Sequence, residues 1–263
     1  MSRNDVFAKP KIITDMLDCY FYHEMDIPGY GHVTGEWDLR GREREYLGGV
    51  NVAGKRVLDV GTASGYLSFY MEKQGADVIA YDISEDQTWD IVPFHGYNYQ
   101  ETFLSRKAHV RKINNAFWFA HGAFKSRVKM VYGTVYEIPK EIGPVDISVF
   151  GCVLLHVRDP FLALQRALSL TKETVVVTEQ GASRLGEPCM RFLPSFKTCE
   201  PKETWWELPP AIIQNFLAVL GFEENKVIEH SQKNRGPRTG ETCKWRHMYT
   251  VLGHRTKDFR DVV

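Results

Sequence analysis

Two short apolar segments, separated by a stretch long enough for one helix, constrain the possible folds of this chain more than any other feature. Arg56–Val60 has the composition of a buried strand, the pattern breaks at Gly61, and helical spacing of apolar residues resumes after Gly65. A second apolar segment, Val78–Tyr81, ends at Asp82. Parallel strands need a crossover of this size, so the sequence predicts a strand-helix-strand unit.

The turn after the first strand has the chemistry of a nucleoside site. Gly61 and Gly65 permit positive φ and let a ligand approach the backbone without meeting a Cβ. Asp82 lies roughly 20 positions further on, at the tip of the second strand, where a carboxylate can accept hydrogen bonds from both hydroxyls of a ribose. We therefore expect this unit to bind an adenosyl group.

The details of the loop discriminate between adenosyl cofactors. A dinucleotide fingerprint needs a middle glycine for the pyrophosphate, and the segment 61–65 has none. Asp59 would repel a pyrophosphate, but it would suit the ammonium end of a methionine-derived ligand, directly or through water. A dinucleotide site and a purely structural strand-turn-helix are the alternatives.

The segment Val57–Gly65 together with Asp82 resembles motif I and the following acidic residue of class I S-adenosylmethionine-dependent methyltransferases. The resemblance is specific over residues 54–180. It implies an α/β fold, a three-layer Rossmann-like sandwich with a mostly parallel seven-stranded sheet whose last strand is antiparallel. It also implies S-adenosyl-L-methionine as the cofactor, an N-terminal cap segment at 1–53 over the active site, and a methyltransferase domain at 54–263 with a lid insertion at about 181–208.

The resemblance places the cofactor contacts at the ends of four strands. The implied residues are Asp59, Gly61, Thr62, Ala63, Ser64 and Gly65 in the first turn, Asp82 and Ile83 after the second strand, Gly133, Thr134 and Val135 after the third, and Gly151 and Cys152 at the fourth. The acidic residue that the family usually has after the third strand is missing, so we expect backbone groups or the Thr134 hydroxyl to recognise adenine. The segment 83–94 is longer than a minimal connection and is expected to line the site.

Composition is that of an ordinary globular chain. The 263 residues are 43% hydrophobic and carry 33 basic and 33 acidic side chains, so no global charge attracts nucleic acid or a membrane surface. The five cysteines are scattered without metal-ligand spacing, which predicts reduced thiols and a cytoplasmic location. No signal peptide or membrane span is expected, and no metal site is implied.

Aromatic and polar side chains that could bind a ligand occur in the cap and in the predicted lid. We expect the cap residues to contact substrate or cofactor. We expect the lid tryptophans to stack on a flat ligand and the lid arginine to bind a carboxylate or phosphate. The candidate substrate-binding residues are Tyr20, Tyr22 and Trp37 in the cap, and Arg191, Trp205 and Trp206 in the lid. The alternative is that these side chains only pack against the sheet.

Two histidines are candidate catalytic bases. His156 follows the fourth strand, where catalytic groups of α/β sheets gather, and His23 lies in the cap. An imidazole with a pKa near neutrality suits a hydroxyl or ammonium nucleophile. A structural role in its loop is the alternative for His156.

The sequence predicts in-line methyl transfer to a small-molecule acceptor, such as a metabolite or sugar. One alternative is a transfer RNA wobble-uridine modifying enzyme, which is faintly similar around Tyr22, Trp37 and Trp205. The basic residues of 101–129, interleaved with aromatics, could serve such a substrate, although the solvated face of an amphipathic helix is the more frequent reason for this pattern. A non-catalytic adenosyl-binding module is the third hypothesis.

Overall fold

The predicted crossover unit lies at the centre of one large sheet. The computed structural model describes residues 6–92, 98–181, 189–198, 200, 203–236 and 242–258. The first part of the chain forms a 3-10 turn at Met16–Asp18, then β1 (Met25–Ile27), β2 (Gly31–Val33), β3 (Trp37–Asp38) and α1 (Glu43–Tyr46). No long helix occurs in the described residues before β4.

The remaining elements alternate between strands and helices and then end in a hairpin. They are β4 (Arg56–Val60), α2 (Tyr66–Lys73), β5 (Asp77–Asp82), α3 (Tyr99–Phe124), β6 (Lys129–Tyr132), β7 (Val145–Gly151), α4 (Pro160–Leu168), β8 (Thr171–Gln180), β9 (Arg191–Phe192), β10 (Trp206–Glu207), α5 (Pro210–Val219), β11 (Glu224–Asn234) and β12 (Lys244–His254). Short 3-10 turns at Lys140–Ile142 and Leu154–His156 precede and follow β7.

The main sheet has the strand order β3-β11-β12-β8-β7-β4-β5-β6. Strands β8, β7, β4, β5 and β6 are parallel, and β12 is antiparallel to both of its neighbours. This confirms the predicted α/β sandwich and its antiparallel last strand. The sheet has one strand more than predicted, because Trp37 and Asp38 of the cap pair with Asn234 and Lys233 at the edge. A two-residue strand is too short to produce a periodic signal in sequence.

Two apolar layers cover the sheet. On one face, α2, α3 and the cap pack against side chains such as Val57, Ala80 and Met130. On the other face, α4 and α5 pack against the alternate side chains, including Leu58 and Ile79. Because successive side chains of a strand point to opposite faces, a central strand covered on both sides must be apolar throughout.

The strand order reverses at β4, which lies between β5 and β7. The loops that follow these strands therefore diverge to opposite faces and leave a crevice at the carboxyl edge of the sheet. Asp159 begins α4 by accepting from the Leu162 amide at 2.9 Å, with Pro160 in the first turn. This cap fixes the chain immediately after the turn that carries His156.

Candidate functional site

A cavity of about 610 Å³ opens at the carboxyl ends of the central parallel strands. Nine of the predicted cofactor residues line it: Gly61, Ala63, Asp82, Ile83, Gly133, Thr134, Val135, Gly151 and Cys152. The predicted insertion after β5 contributes Thr88, Trp89, Asp90 and Ile91 to the same wall. The structure thus brings together loops from β4, β5, β6 and β7.

Asp82 is held by the turn that it faces. Its Oδ2 accepts from the Ala63 amide at 2.7 Å, and its Oδ1 accepts from the Ile83 amide at 2.7 Å. Each carboxylate oxygen keeps a further lone pair for a ligand hydroxyl. Burial raises the pKa of Asp82 to about 6, and the two amides oppose that rise.

The walls beside Asp82 include two glycines whose Cβ positions are taken up by neighbouring side chains. A Cβ at Gly61 would lie 2.4 Å from Val153 Cγ2, and one at Gly133 would lie 2.2 Å from the Tyr81 hydroxyl oxygen. Ala63 and Cys152, which both line the cavity, have positive φ values of 50° and 54°. Such conformations are rarely kept by side chains with a Cβ and cluster at ligand sites, so the cavity walls have the character of a functional site.

Four predicted cofactor residues do not line the cavity and instead shape the loop. Asp59 is buried and accepts from the Ser68 hydroxyl at 2.6 Å, while Thr62 lies 2.9 Å from the same hydroxyl. Ser64 accepts from the His23 amide at 3.1 Å. Gly65 has φ +87°, and a Cβ there would meet Phe69 and Phe117 within 2.7 Å. Direct cofactor contact by these four residues stays a prediction.

His156 lines the cavity in a defined tautomer. Its Nδ1 lies 2.5 Å from the Glu203 carbonyl oxygen, which can only accept, so Nδ1 carries the proton. Nε2 therefore holds the lone pair of the neutral ring. Burial lowers the pKa of His156 and keeps the ring neutral, while the hydrogen bond to the Glu203 carbonyl opposes that fall.

His23 does not line the cavity. It is 8% exposed, its ring packs beside Tyr22 and Tyr66, and burial lowers its pKa to about 4. Its Nδ1 has no hydrogen-bond partner among the described residues. The backbone placement of His23 against Ser64 ties the cap to the loop after β4, and its role as a base stays a prediction.

The candidate substrate residues of the cap lie in or near the cavity. Tyr22 lines it directly. Tyr20 donates a hydrogen bond from its hydroxyl to Glu36, which lines the cavity, and its ring lies 4.3 Å from that of His109. Trp37 is buried and hydrogen-bonds Tyr22.

The candidate substrate residues of the predicted lid do not line the cavity. Trp205 is buried and donates to the Asp90 carbonyl at 2.8 Å, and Trp206 donates to the Arg158 carbonyl at 3.2 Å. Arg191 pairs with Glu207 across the β9–β10 hairpin. Substrate binding by these three side chains stays a prediction. Residues 182–188, 199, 201 and 202 of the predicted lid lie outside the described residues.

Sequence reasoning missed a group of charged and aromatic residues that form the rim of the cavity. Arg106 of α3 pairs with Glu203, and Arg158 pairs with Asp90 at 2.5 Å. The Arg106 guanidinium lies 5.2 Å from the centre of the Trp89 ring. Trp89 and Asp90 belong to the predicted insertion, and the rim residues beyond the predicted ones are Glu36, Tyr99, Arg106, His109, Arg158 and Glu203.

One available signal was the position of α3 directly after the insertion that lines the site. Arg106, His109 and Ile113 recur at helical spacing and face the cavity, whereas Arg111 and Lys112 are exposed. The expectation of a solvated basic face therefore holds for part of the helix only.

Three further observations concern membrane spans, metal ligands and thiols. No helix in the described residues is long and apolar enough to cross a membrane. No cluster of three or more His, Cys, Asp or Glu side chains in the described ranges could hold a metal ion. Cys19, Cys152, Cys189 and Cys243 are free thiols, and Cys199 lies outside those ranges.

Comparison with known proteins places this geometry in context. The model of the family described as "Methyltransferase domain" matches residues 32–228, well over half of the chain. A curated tRNA U34 carboxymethyltransferase from Idiomarina loihiensis is 24% identical over 188 residues, which make up 69% of this chain and 49% of that protein. The chain thus spans about half the length of the curated relative that it matches.

Solved structures share the fold. The N-terminal domain of EvdMO1 with SAH bound superposes with a TM-score of 0.50 at 17% identity, covering 81% of this chain and 79% of that chain. Human N-acetylserotonin methyltransferase in complex with SAM also gives a TM-score of 0.50, at 14% identity, covering 83% of this chain and 53% of that chain. At these identities the likeness concerns the architecture alone.

Proposed function

The chain belongs to the methyltransferase-domain family, and from this premise we propose that it is an S-adenosylmethionine-dependent methyltransferase that acts on a small-molecule acceptor. The observation that carries the proposal is the Asp82 carboxylate beside bare backbone at Gly61 and Gly133, at the switch point of a parallel sheet. A carboxylate at this position can accept hydrogen bonds from the hydroxyls of a ribose.

The residues present fit the cofactor. Asp82 would hold the ribose, Ile83 and the segment 133–135 would enclose the adenine, and Gly61, Ala63 and Gly151 would line the methionine end. When bound, S-adenosylmethionine supplies a methyl group on a sulfonium, which is already an electrophile. The protein's principal task is therefore to align the acceptor and exclude water.

His156 is our candidate for the base that an acceptor hydroxyl or ammonium needs. The Glu203 carbonyl fixes Nδ1–H, which leaves Nε2 as the proton acceptor. The ion pairs Arg106–Glu203 and Arg158–Asp90 join the walls around the cavity mouth. Cavity walls that ion pairs hold together favour a small acceptor.

Calorimetry tests the cofactor assignment. We expect S-adenosylhomocysteine to bind the protein and NAD not to bind. The reverse result would end the methyltransferase proposal and favour a dinucleotide enzyme.

An acceptor screen tests the reaction. Mass spectrometry of pooled metabolites incubated with enzyme and S-adenosylmethionine should reveal a product heavier by one methyl group. Binding of both S-adenosylmethionine and S-adenosylhomocysteine without turnover on any acceptor would instead support a non-catalytic adenosyl-binding module.

The tRNA relative supports a second candidate, a transfer RNA modifying enzyme. Filter binding of transfer RNA at physiological salt distinguishes the two. Tight binding that weakens steeply with salt would favour the RNA substrate, because phosphate contacts release counterions.

A further inference from the structure

The cavity contains a carboxylate for which the described residues supply no cation. Of the acidic side chains that line the cavity, Asp90 pairs with Arg158 and Glu203 pairs with Arg106. Asp82 has its two backbone amides. Glu36 makes no ion pair with any described residue, and its side chain accepts a hydrogen bond from the Tyr20 hydroxyl.

The position of Glu36 makes an uncompensated charge costly. The side chain is half-buried, and burial raises the pKa of its carboxyl group, while the Tyr20 hydrogen bond opposes that rise. Taking a carboxylate out of water without a partner is unfavourable, and a cation placed beside it recovers that energy. The site is therefore prepared for a positively charged group.

The backbone presents this carboxylate rigidly. The Glu36 amide donates to the Tyr22 carbonyl at 2.9 Å, and the Glu36 carbonyl accepts from the Arg235 amide at 2.7 Å. The cap and the edge of the main sheet thus hold residue 36 from both sides. Its side chain reaches the cavity with little freedom at its base.

The surroundings of Glu36 in the cavity are aromatic. Tyr22 lines the cavity, and the ring of Tyr20 lies 4.3 Å from that of His109. Burial and the nearby Arg106 and Lys112 lower the pKa of His109 to about 4, so this ring is uncharged at neutral pH. Neutral aromatic faces around a carboxylate favour an ammonium group.

We propose that Glu36, oriented by Tyr20, binds a protonated amino group of a ligand in the cavity. Asp59, the carboxylate that the sequence favours for an ammonium, lies outside the cavity lining and accepts from Ser68. The inference rests on the proposed function, which offers two sources of the amino group: the amino-acid end of the cofactor, or an amine on the acceptor.

The first experiment compares wild type and Glu36→Gln, which keeps the shape and removes the charge. Calorimetry measures the affinity for S-adenosylhomocysteine and for 5′-methylthioadenosine, which lacks the amino acid. If the cofactor brings the amino group, the variant binds the first compound at least tenfold more weakly and the second equally well. Tyr20→Phe should cause a smaller loss with the same selectivity.

The matched control is Asp26→Asn. Asp26 lies in the same cap, its side chain is 67% exposed, and it does not line the cavity. This variant should bind both nucleosides like the wild type. Thermal melting of all three variants checks that they fold.

The second experiment uses protein saturated with S-adenosylhomocysteine and compares tyramine with tyrosol, its alcohol counterpart. If the acceptor brings the amino group, the wild type binds tyramine more tightly than tyrosol, and Glu36→Gln abolishes that preference. The inference is overturned if the variant keeps full affinity for S-adenosylhomocysteine and the wild type shows no preference for the amine. Failure of the wild type to bind S-adenosylhomocysteine would instead overturn the proposed function itself.

Discussion

At the scale of single residues, Asp82 is the side chain on which nucleoside binding depends most directly. Replacing Asp82 by Ala removes both acceptors for the ribose and leaves the Ala63 and Ile83 amides without their partner. We expect cofactor binding to weaken by about 1.5–3 kcal/mol, the range for hydrogen bonds to a charged group. Calorimetry with S-adenosylhomocysteine measures the change.

Asp86→Ala provides the control for this measurement. Asp86 lies in the same loop, its side chain is 89% exposed, and it does not line the cavity. Its affinity should equal that of the wild type. An Asp82→Ala protein with undiminished affinity would show that the ribose is held elsewhere.

His156 offers a test of the proton acceptor. If Nε2 takes the proton, His156→Ala should lower turnover by about 100-fold while leaving cofactor affinity nearly intact. Steady-state kinetics with the acceptor from the screen measures the first quantity, and calorimetry the second. His254→Ala, an exposed histidine at the end of β12, should leave both unchanged. A mild loss at His156 would assign it a structural role in its turn.

The position at the cavity could be predicted from the sequence for some residues but not for others. Asp82 and Gly61 were predictable because local spacing alone puts them at the end of a strand and in a turn. Glu36 and Glu203 were not, because their positions at the cavity depend on pairing between segments far apart in the chain. No pattern within ten residues of either one reports that pairing.

At the scale of elements, the loop after β6 sets one wall of the cavity. Gly133 lies where an added Cβ would come within 2.2 Å of the Tyr81 hydroxyl oxygen, and that hydroxyl donates to the Thr134 carbonyl at 2.8 Å. Gly133→Ala should therefore displace the segment 133–135 and weaken binding of S-adenosylhomocysteine by tenfold or more. Calorimetry provides the measurement.

Gly122→Ala is the matched substitution. Gly122 lies near the end of α3 with nothing within 4 Å of an added Cβ. It should keep nucleoside affinity and stabilise the protein by about 0.5–1 kcal/mol, because alanine has the higher helix propensity. If Gly133→Ala and Gly122→Ala bind S-adenosylhomocysteine equally well, displacement of the segment 133–135 does not affect binding.

The elements themselves were largely predictable, and the exceptions have physical reasons. The continuous apolar strands β7 and β8 and the amphipathic helices gave strong periodic signals. The two-residue strands β3, β9 and β10 exist through tertiary pairing and have no local signal. Helix α3 faces core, solvent and cavity at once, so its charge pattern alone could not separate Arg106 from Arg111.

At the scale of the whole molecule, buried ionisable groups make the free energy of unfolding depend on pH. Burial lowers the pKa of His23, His109 and His230 to about 4, so the unfolded chain binds more protons below pH 6.5 and stability falls with acidification. Burial raises the pKa of Glu179 to about 8 and that of Asp82 to about 6. The folded protein then binds the extra proton, so these two groups make stability fall as pH rises from about 4.5.

The two trends oppose one another below pH 6.5, where burial also lowers the pKa of His156 and raises the pKa values of Glu36 and Asp59. Above about pH 7.5 the histidines are neutral in both states and contribute no further change, so the decline due to Glu179 remains until about pH 8, with a slope of at most about 1.4 kcal/mol per pH unit. Urea unfolding between pH 4.5 and pH 8.5 measures the free energy of unfolding.

Glu179→Gln assigns the alkaline decline. Glutamine can still accept from the Leu154 amide, which Glu179 does at 2.8 Å, but it does not titrate. The variant should lose the decline between about pH 7.5 and pH 8, whereas Glu137→Gln, an exposed change, should retain it. An unchanged decline in Glu179→Gln would contradict the assignment.

Across the whole molecule, the sequence predicted the sandwich and the place of the cavity, since both follow from the order of strands and helices. It did not predict how the cavity is enclosed. The rim combines the cap, the insertion after β5, α3 and Glu203, and only the folded sheet brings these together.

Glu203 makes two contacts at the cavity, one through its side chain and one through its main chain. Its side chain pairs with Arg106 across the mouth, and its main-chain carbonyl holds the His156 ring. A substitution that moves the main chain at Glu203 would therefore disturb the orientation of the proposed base and the wall of the cavity together.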